Sequence, residues 1–167
     1  MLKVKIKCEE GVFPPQYESE GSAGFDLRAK SFKKLFKGNK EVPLDKKLKQ
    51  STSEGYITLR GFERVLIGTG ITMAIPEGYV LNIVSRSGLT LKRGLIVANA
   101  PGIIDSDYRG EIGLILINNS PFLCKINLGD RLAQGVLTKF QHALWNVQEN
   151  LDITERGDGG FGSTGEE

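Results

Sequence analysis

The sequence is poor in the groups that most often carry enzymatic chemistry. It holds one histidine, His142, and two cysteines, Cys8 and Cys124. Three such ligands cannot complete a four-ligand Cys/His zinc site within one chain, and they show no C-x-x-C spacing. His142 sits between Gln141 and Ala143 with no nucleophile-elbow sequence nearby, which disfavours a Ser-His-Asp triad. Long apolar runs are missing as well. The longest uninterrupted stretch of Ile, Leu and Val covers residues 114–117, far below the roughly 18 residues of a membrane-crossing helix. The opening MLKVKIKCEE alternates charge with apolarity and has no hydrophobic block of signal type, so an intracellular location is expected. Chemistry must rest on carboxylates, Arg and Lys, hydroxyls and backbone amides, with room for a hard, oxygen-seeking cation such as magnesium.

What is present suits one folded domain: 167 residues, 40% hydrophobic and 25% charged. The net charge of +2 hides an uneven distribution, because residues 30–49 carry eight lysines against Glu41 and Asp45. This Lys-rich insertion, about residues 30–54, places Phe32, Leu35 and Phe36 at helix-like spacing and then meets Pro43. It reads as a solvated insertion with one helical turn, the alternative being a polyanion-binding patch. Elsewhere the pattern is one of short β-type runs over 4–7, 56–59, 64–67, 69–75, 79–85, 95–98, 111–118, 122–127 and 131–137, separated by Gly, Pro, Asn and Asp. An all-β sandwich, jelly roll or barrel follows, with helix confined to a turn or two. Residues 1–155 are expected to form the single β-rich domain. Residues 156–167 form a glycine-rich tail whose Arg156, Phe161, Ser163 and Thr164 offer a charge, a stacking face and hydroxyls to a ligand, so a closing lid is preferred over a frayed end.

Some familiar patterns can be set aside. Gly160, Gly162 and Gly165 satisfy G-x-G-x-x-G, but the residues after them cannot supply a helix. Asp105, Asp107 and Gly110 begin like an EF-hand loop, yet Leu116 occupies the position of the bidentate carboxylate. Five clusters remain: AGFDLRA at 23–29, SRSGL at 85–89, NAPGIIDSDYRG at 99–110, GDRLAQ at 129–134 and RGDGGFGSTG at 156–165. Jointly they supply what phosphoryl transfer requires: arginines against phosphate charge, hydroxyl and amide donors for its oxygens, and carboxylates to hold a hydrated cation or activate water.

All five clusters, in this order, resemble the motifs of the trimeric deoxyuridine triphosphate nucleotidohydrolases, the dUTPases. The resemblance spans residues 23–165, and GIIDSDYRG and RGDGGFGSTG are its most specific parts. It implies a jelly-roll subunit, a homotrimer with shared sites, and magnesium-dependent hydrolysis of dUTP to dUMP and pyrophosphate, without direct nucleic-acid or membrane binding. By resemblance Asp105 is the catalytic base for the attacking water, while Asp107 serves the turn or pairs with Arg109. Tyr108 lies against the deoxyribose. Asn99 and backbone groups of the 98–104 hairpin, Gly102 and Ile104 among them, read uracil. Arg86, Ser87 and Gly88 sit at the triphosphate, and Gln134 helps hold the phosphate or its metal waters. Asp26 holds magnesium through water, the competing role being a structural one beside Arg28. In the tail, Arg156 grips the γ-phosphate, Phe161 covers the base, Ser163 and Thr164 cap the terminal phosphates, and Gly162 also binds the substrate. Two departures stand out: the basic insertion is longer than usual, and Ser85 occupies a position where proline is common. The enzymatic rival of the same fold is dCTP deaminase, which needs a general acid/base at C4 of cytosine, usually glutamate. A non-catalytic nucleotide-sensing module is the rival from another class.

Overall fold

The computed structural model describes residues 2–44, 48–51 and 54–160. Among these the chain forms β1 (Lys5–Cys8), β2 (Phe25–Arg28), β3 (Ser31–Lys37), β4 (Lys40–Val42), β5 (Leu48–Ser51), β6 (Glu54–Leu59), β7 (Arg64–Gly68), β8 (Ile71–Ala74) and β9 (Tyr79–Ser85). There follow α1 (Ser87–Arg93), β10 (Leu95–Val97), β11 (Gly102–Ile104), β12 (Gly113–Asn118), β13 (Cys124–Asn127) and β14 (Arg131–Lys139). The strands pair into a five-stranded sheet β10-β12-β7-β3-β4, a four-stranded sheet β11-β9-β14-β2, a three-stranded sheet β13-β6-β5 and the ribbon β1-β8. Every pairing is antiparallel, as expected where short strands alternate inward and outward residues.

One buried cluster draws on the two larger sheets together. Phe25, Leu27, Leu81 and Ile83 come from the four-stranded sheet, and Leu35, Val65, Ile67, Leu114 and Leu116 from the five-stranded one, joined by Ile57, Leu59 and Ile126. Period-two alternation produces this layer: in β12, Leu114 and Leu116 point inward while Ile115 points out. Among the described residues the result is the jelly-roll-like, almost wholly β fold that the strand pattern predicts, with one short helix.

The insertion departs from expectation. Residues 31–37 form a strand, not a helical turn, and β3 sits inside the five-stranded sheet beside β7. A β-bulge explains the misleading spacing. Phe32 lies opposite Ile67 and Leu35 opposite Val65, with the register shifting between Phe32 and Lys34. The extra residue turns an i, i+3 pair onto one face, so a helix-like period is written into a strand. Leu35 is fully buried, so this part of the insertion belongs to the core rather than to solvent. Helix instead occurs at Ser87–Arg93, where Gly94 closes it in the left-handed region at φ 62°.

Candidate active site

Three of the motif clusters meet at one end of the four-stranded sheet. Asp26 of β2 lies opposite Gln134 of β14, which in turn lies opposite Val84 of β9. Directly paired residues share a face, and this face is opposite the one that carries Phe25, Leu27 and Ala133 into the core. Arg131 reaches the same side through a second irregularity. The register of β14 against β2 shifts between Arg131 and Ala133, so Arg131 pairs with Arg28 instead of following Ala133 inward.

Asp26 is 8% exposed and sits between two guanidinium groups. Arg131 donates through Nη1 to its Oδ2 at 3.0 Å and to Oε1 of Glu18 at 3.0 Å. Arg86 places Nε 3.1 Å from Oδ1. The proximity there is electrostatic only: Oδ1 is buried and accepts no hydrogen bond, because the Arg86 N–H is not aimed at it. Arg86 donates instead through Nη1 to the Arg131 carbonyl at 2.9 Å. The Asp26 charge, chiefly, raises the Arg131 pKa, helped by their hydrogen bond and by Glu18, against a smaller desolvation effect. Since the shift is upward, the stability it represents is fully present below the ordinary arginine range and fades only as pH climbs through it. The proposed Asp26 partner Arg28 is occupied elsewhere, donating to the Gly129 carbonyl at 3.0 Å. Asp26 therefore pairs with Arg86 and Arg131, a correction to the structural alternative drawn from sequence.

Arg86 ends the extended chain (φ −84°, ψ 125°) and leads into α1. Ser87 and Gly88 open the helix, exposed, with no side-chain cap and no acidic residue in the first turn. A Cβ at Gly88 would meet nothing within 4 Å, so the space before these amides is open. Ser85 has a local task that proline could not perform in the same way: its Oγ accepts the Val97 N–H at 2.8 Å, tying the approach to α1 to β10.

The hairpin after β10 holds the remaining groups. Asn99 is exposed, and its Nδ2 lies 3.3 Å from where a Gly102 Cβ would stand, with Ile83 Cβ at 3.2 Å. Any side chain at Gly102 would push Asn99 away from the strand. Ile104 is half-buried opposite Leu81. Asp105 leaves the strand exposed and opens a turn closed by the Tyr108 N–H on its carbonyl at 3.2 Å. Arg109 donates to the carbonyls of Ser106 and Tyr108 rather than pairing with Asp107. Tyr108 folds back so that its hydroxyl donates to the Glu111 carbonyl at 3.0 Å, and its ring lies where a Gly110 side chain would be.

These groups do not all converge within one chain. Gly102, Ile103 and Ile104 pair with Ile83, Asn82 and Leu81, so Asp105 leaves the sheet beside Val80, while Arg86 follows the opposite end of β9. Six residues of strand separate the two positions by about 20 Å. Arg156 donates to the Gly159 carbonyl at 2.8 Å within its own turn. Phe161, Gly162, Ser163 and Thr164 lie outside the described residues. Sequence reasoning missed Arg131 and Glu18, although Arg131 stands inside the 129–134 cluster. Its role depends on the bulge, which no residue spacing announces.

Among the described residues no group of three or more His, Cys, Asp or Glu could hold a metal. A cation bound directly by phosphate and touched by protein only through water fits that pattern. Asp26 Oδ1, buried and without a hydrogen bond, is an acceptor suited to a metal-bound water.

Fold and site together define a jelly-roll-like β protein with two groups of charged and polar residues at the two ends of one sheet. A family profile described as dUTPase matches residues 50–165. Relatives named deoxyuridine 5'-triphosphate nucleotidohydrolase include one from Fusobacterium nucleatum, 43% identical over 164 residues covering 98% of this chain and 97% of the relative. One from Caulobacter vibrioides is 44% identical, covering 98% and 95%. Among solved structures, the Staphylococcus bacteriophage 80alpha dUTPase with dUpNHpp superposes with a TM-score of 0.73 at 23% identity, covering 99% of each chain. A variant dUTPase from phage phi11 of S. aureus, described as revealing a structural Mg(II) ion, gives 0.70 at 21% identity over 91% of this chain and 100% of that one. The chain belongs to the dUTPase family.

Proposed function

We propose that the chain hydrolyses dUTP to dUMP and pyrophosphate, with water attacking the α-phosphorus, in a homotrimer whose sites are shared between subunits. The observation that carries this reading is the placement of Arg86, Ser87, Asp26 and Gln134 at one end of β9 and of the Asp105–Tyr108 turn at the other. A phosphate clamp and a base about 20 Å apart cannot serve one substrate. Bringing a second copy's Asp105 turn to the first copy's Arg86 completes the site. The sheet face carrying Asp26 and Gln134 also presents half-buried Val84 and Val136 and exposed Ile103, an apolar surface suited to another subunit. Residues 141–154 form no helix or strand and expose Leu144, Trp145, Val147, Leu151 and Ile153 almost completely, a further apolar stretch suited to another subunit.

Within the assembled site, Asp105 accepts a proton from the attacking water, Arg86 and Ser87 hold the phosphates, and Gln134 supports them. Tyr108 packs on the deoxyribose and Asn99 with the Gly102–Ile104 backbone reads uracil. Magnesium, when bound, would offset triphosphate charge and favour departure of pyrophosphate, with Asp26 holding one of its waters. The tail, residues 156–167, closes over the nucleotide. The dCTP deaminase reading is not favoured, because the 105–108 turn offers aspartates where that chemistry commonly uses glutamate and because the relatives are named for dUTP. Pyrophosphate release across a panel of nucleoside triphosphates, with and without EDTA, tests the proposal. The expected result is rapid release from dUTP, collapse on chelation and little from UTP or dTTP. A uracil-containing product from dCTP would refute it.

A further inference from the structure

The Asp26 site contains one more arginine than a phosphate clamp and a metal-water acceptor need. A buried carboxylate left without a partner is costly, and it recruits whichever cation is nearest. Asp26 has a side chain 5% exposed, and the two cations beside it differ in what else they do. Arg131 is fixed by Glu18 on its outer side and by the bulge that turns it out of the core. Arg86 stands 3.1 Å from Oδ1 without a hydrogen bond and spends Nη1 on the Arg131 carbonyl.

We propose that Arg131 is a positioning residue that serves as the standing counter-charge of Asp26, so that Arg86 stays free to move onto the triphosphate and Oδ1 stays without a hydrogen bond from it. The chain Glu18, Arg131, Asp26, Arg86 thereby couples nucleotide binding to the metal-facing carboxylate. Without Arg131, Asp26 takes Arg86 as its hydrogen-bonded partner and competes with phosphate for it. The inference rests on the reading of Arg86 as a phosphate ligand.

The test is calorimetric binding of dUpNHpp in EDTA to the wild-type protein, R131Q, R131K, E18Q, D26N and the D26N/R131Q and D26N/E18Q pairs, with thermal melts of each. R131Q is expected to weaken binding about tenfold. Adding D26N should cancel most of that loss, because no carboxylate then remains to sequester Arg86. R131K should recover much of the affinity by keeping the charge. E18Q, which leaves no buried charge unpaired, keeps the test available if R131Q does not fold; it should weaken binding about two- to threefold, an effect absent when combined with D26N. Additive losses in D26N/R131Q, or E18Q indistinguishable from wild type, would overturn the inference while leaving the hydrolase reading intact. Wild-type protein that does not bind dUpNHpp would overturn both.

Discussion

Two residues of the 105–111 segment illustrate how little chemistry separates a turn from a catalytic group. Asp105 accepts the closing hydrogen bond of its turn through its backbone, which leaves the carboxylate exposed and unengaged in the single chain. Its substitution by Asn keeps the shape and removes the proposed base. Turnover of Asp105→Asn is expected to fall at least about a thousandfold with dUpNHpp affinity within a few-fold of wild type, read by pyrophosphate release and calorimetry; unchanged turnover would contradict the assignment. Gly110 is small for a different reason, since the Tyr108 ring occupies the space of its side chain. Gly110→Ala should displace that ring, break the bond to the Glu111 carbonyl and narrow the preference for dUTP over UTP by about tenfold. Steady-state rates on the two nucleotides measure it.

At the scale of elements, β3 and the turn at 60–63 carry the informative departures. Leu35 is buried in the heart of the five-stranded sheet, so Leu35→Ala should cost about 2–5 kcal/mol of stability in denaturant titration, as for any large core aliphatic. A solvated insertion would lose almost nothing. Phe62 is 64% exposed and holds a left-handed backbone at φ 63°, a conformation that favours glycine. Phe62→Gly should stabilise the protein by about 1 kcal/mol, raising Tm by about 2–4 °C. The long strands were legible because their alternation is regular: β9 spans the predicted residues 79–85, and β14 extends the predicted 131–137 by two. The strand at 31–37 was not, because its bulge imitates a helical period, and the 122–127 strand begins only at Cys124, after Phe122 and Leu123 have turned out to solvent. Three-residue β11 escaped notice because a Gly-Ile-Ile stretch has too few positions to show a period.

For the whole molecule, the family and the candidate site residues proposed with it were readable because glycine, arginine and aspartate clusters recur in a fixed order, whereas the spatial relation between those clusters was not. Order along a chain says nothing about which end of a strand each cluster occupies. Only the register of β11 on β9 shows that Asp105 and Arg86 lie at opposite ends, and only the exposed apolar residues of 141–154 show how much apolar surface that segment presents. Sharing of the site between subunits is the central claim, and complementation tests it directly. Asp105→Asn and Arg86→Gln, each nearly inactive alone, are unfolded together in equal amounts, refolded as mixed trimers and assayed on dUTP. Random assortment should restore about a quarter of wild-type activity, because one site in four then joins an intact Arg86 to a neighbour's intact Asp105. Mixed trimers confirmed by mass spectrometry yet as inactive as their parents would show that both groups act from one chain, contrary to this account.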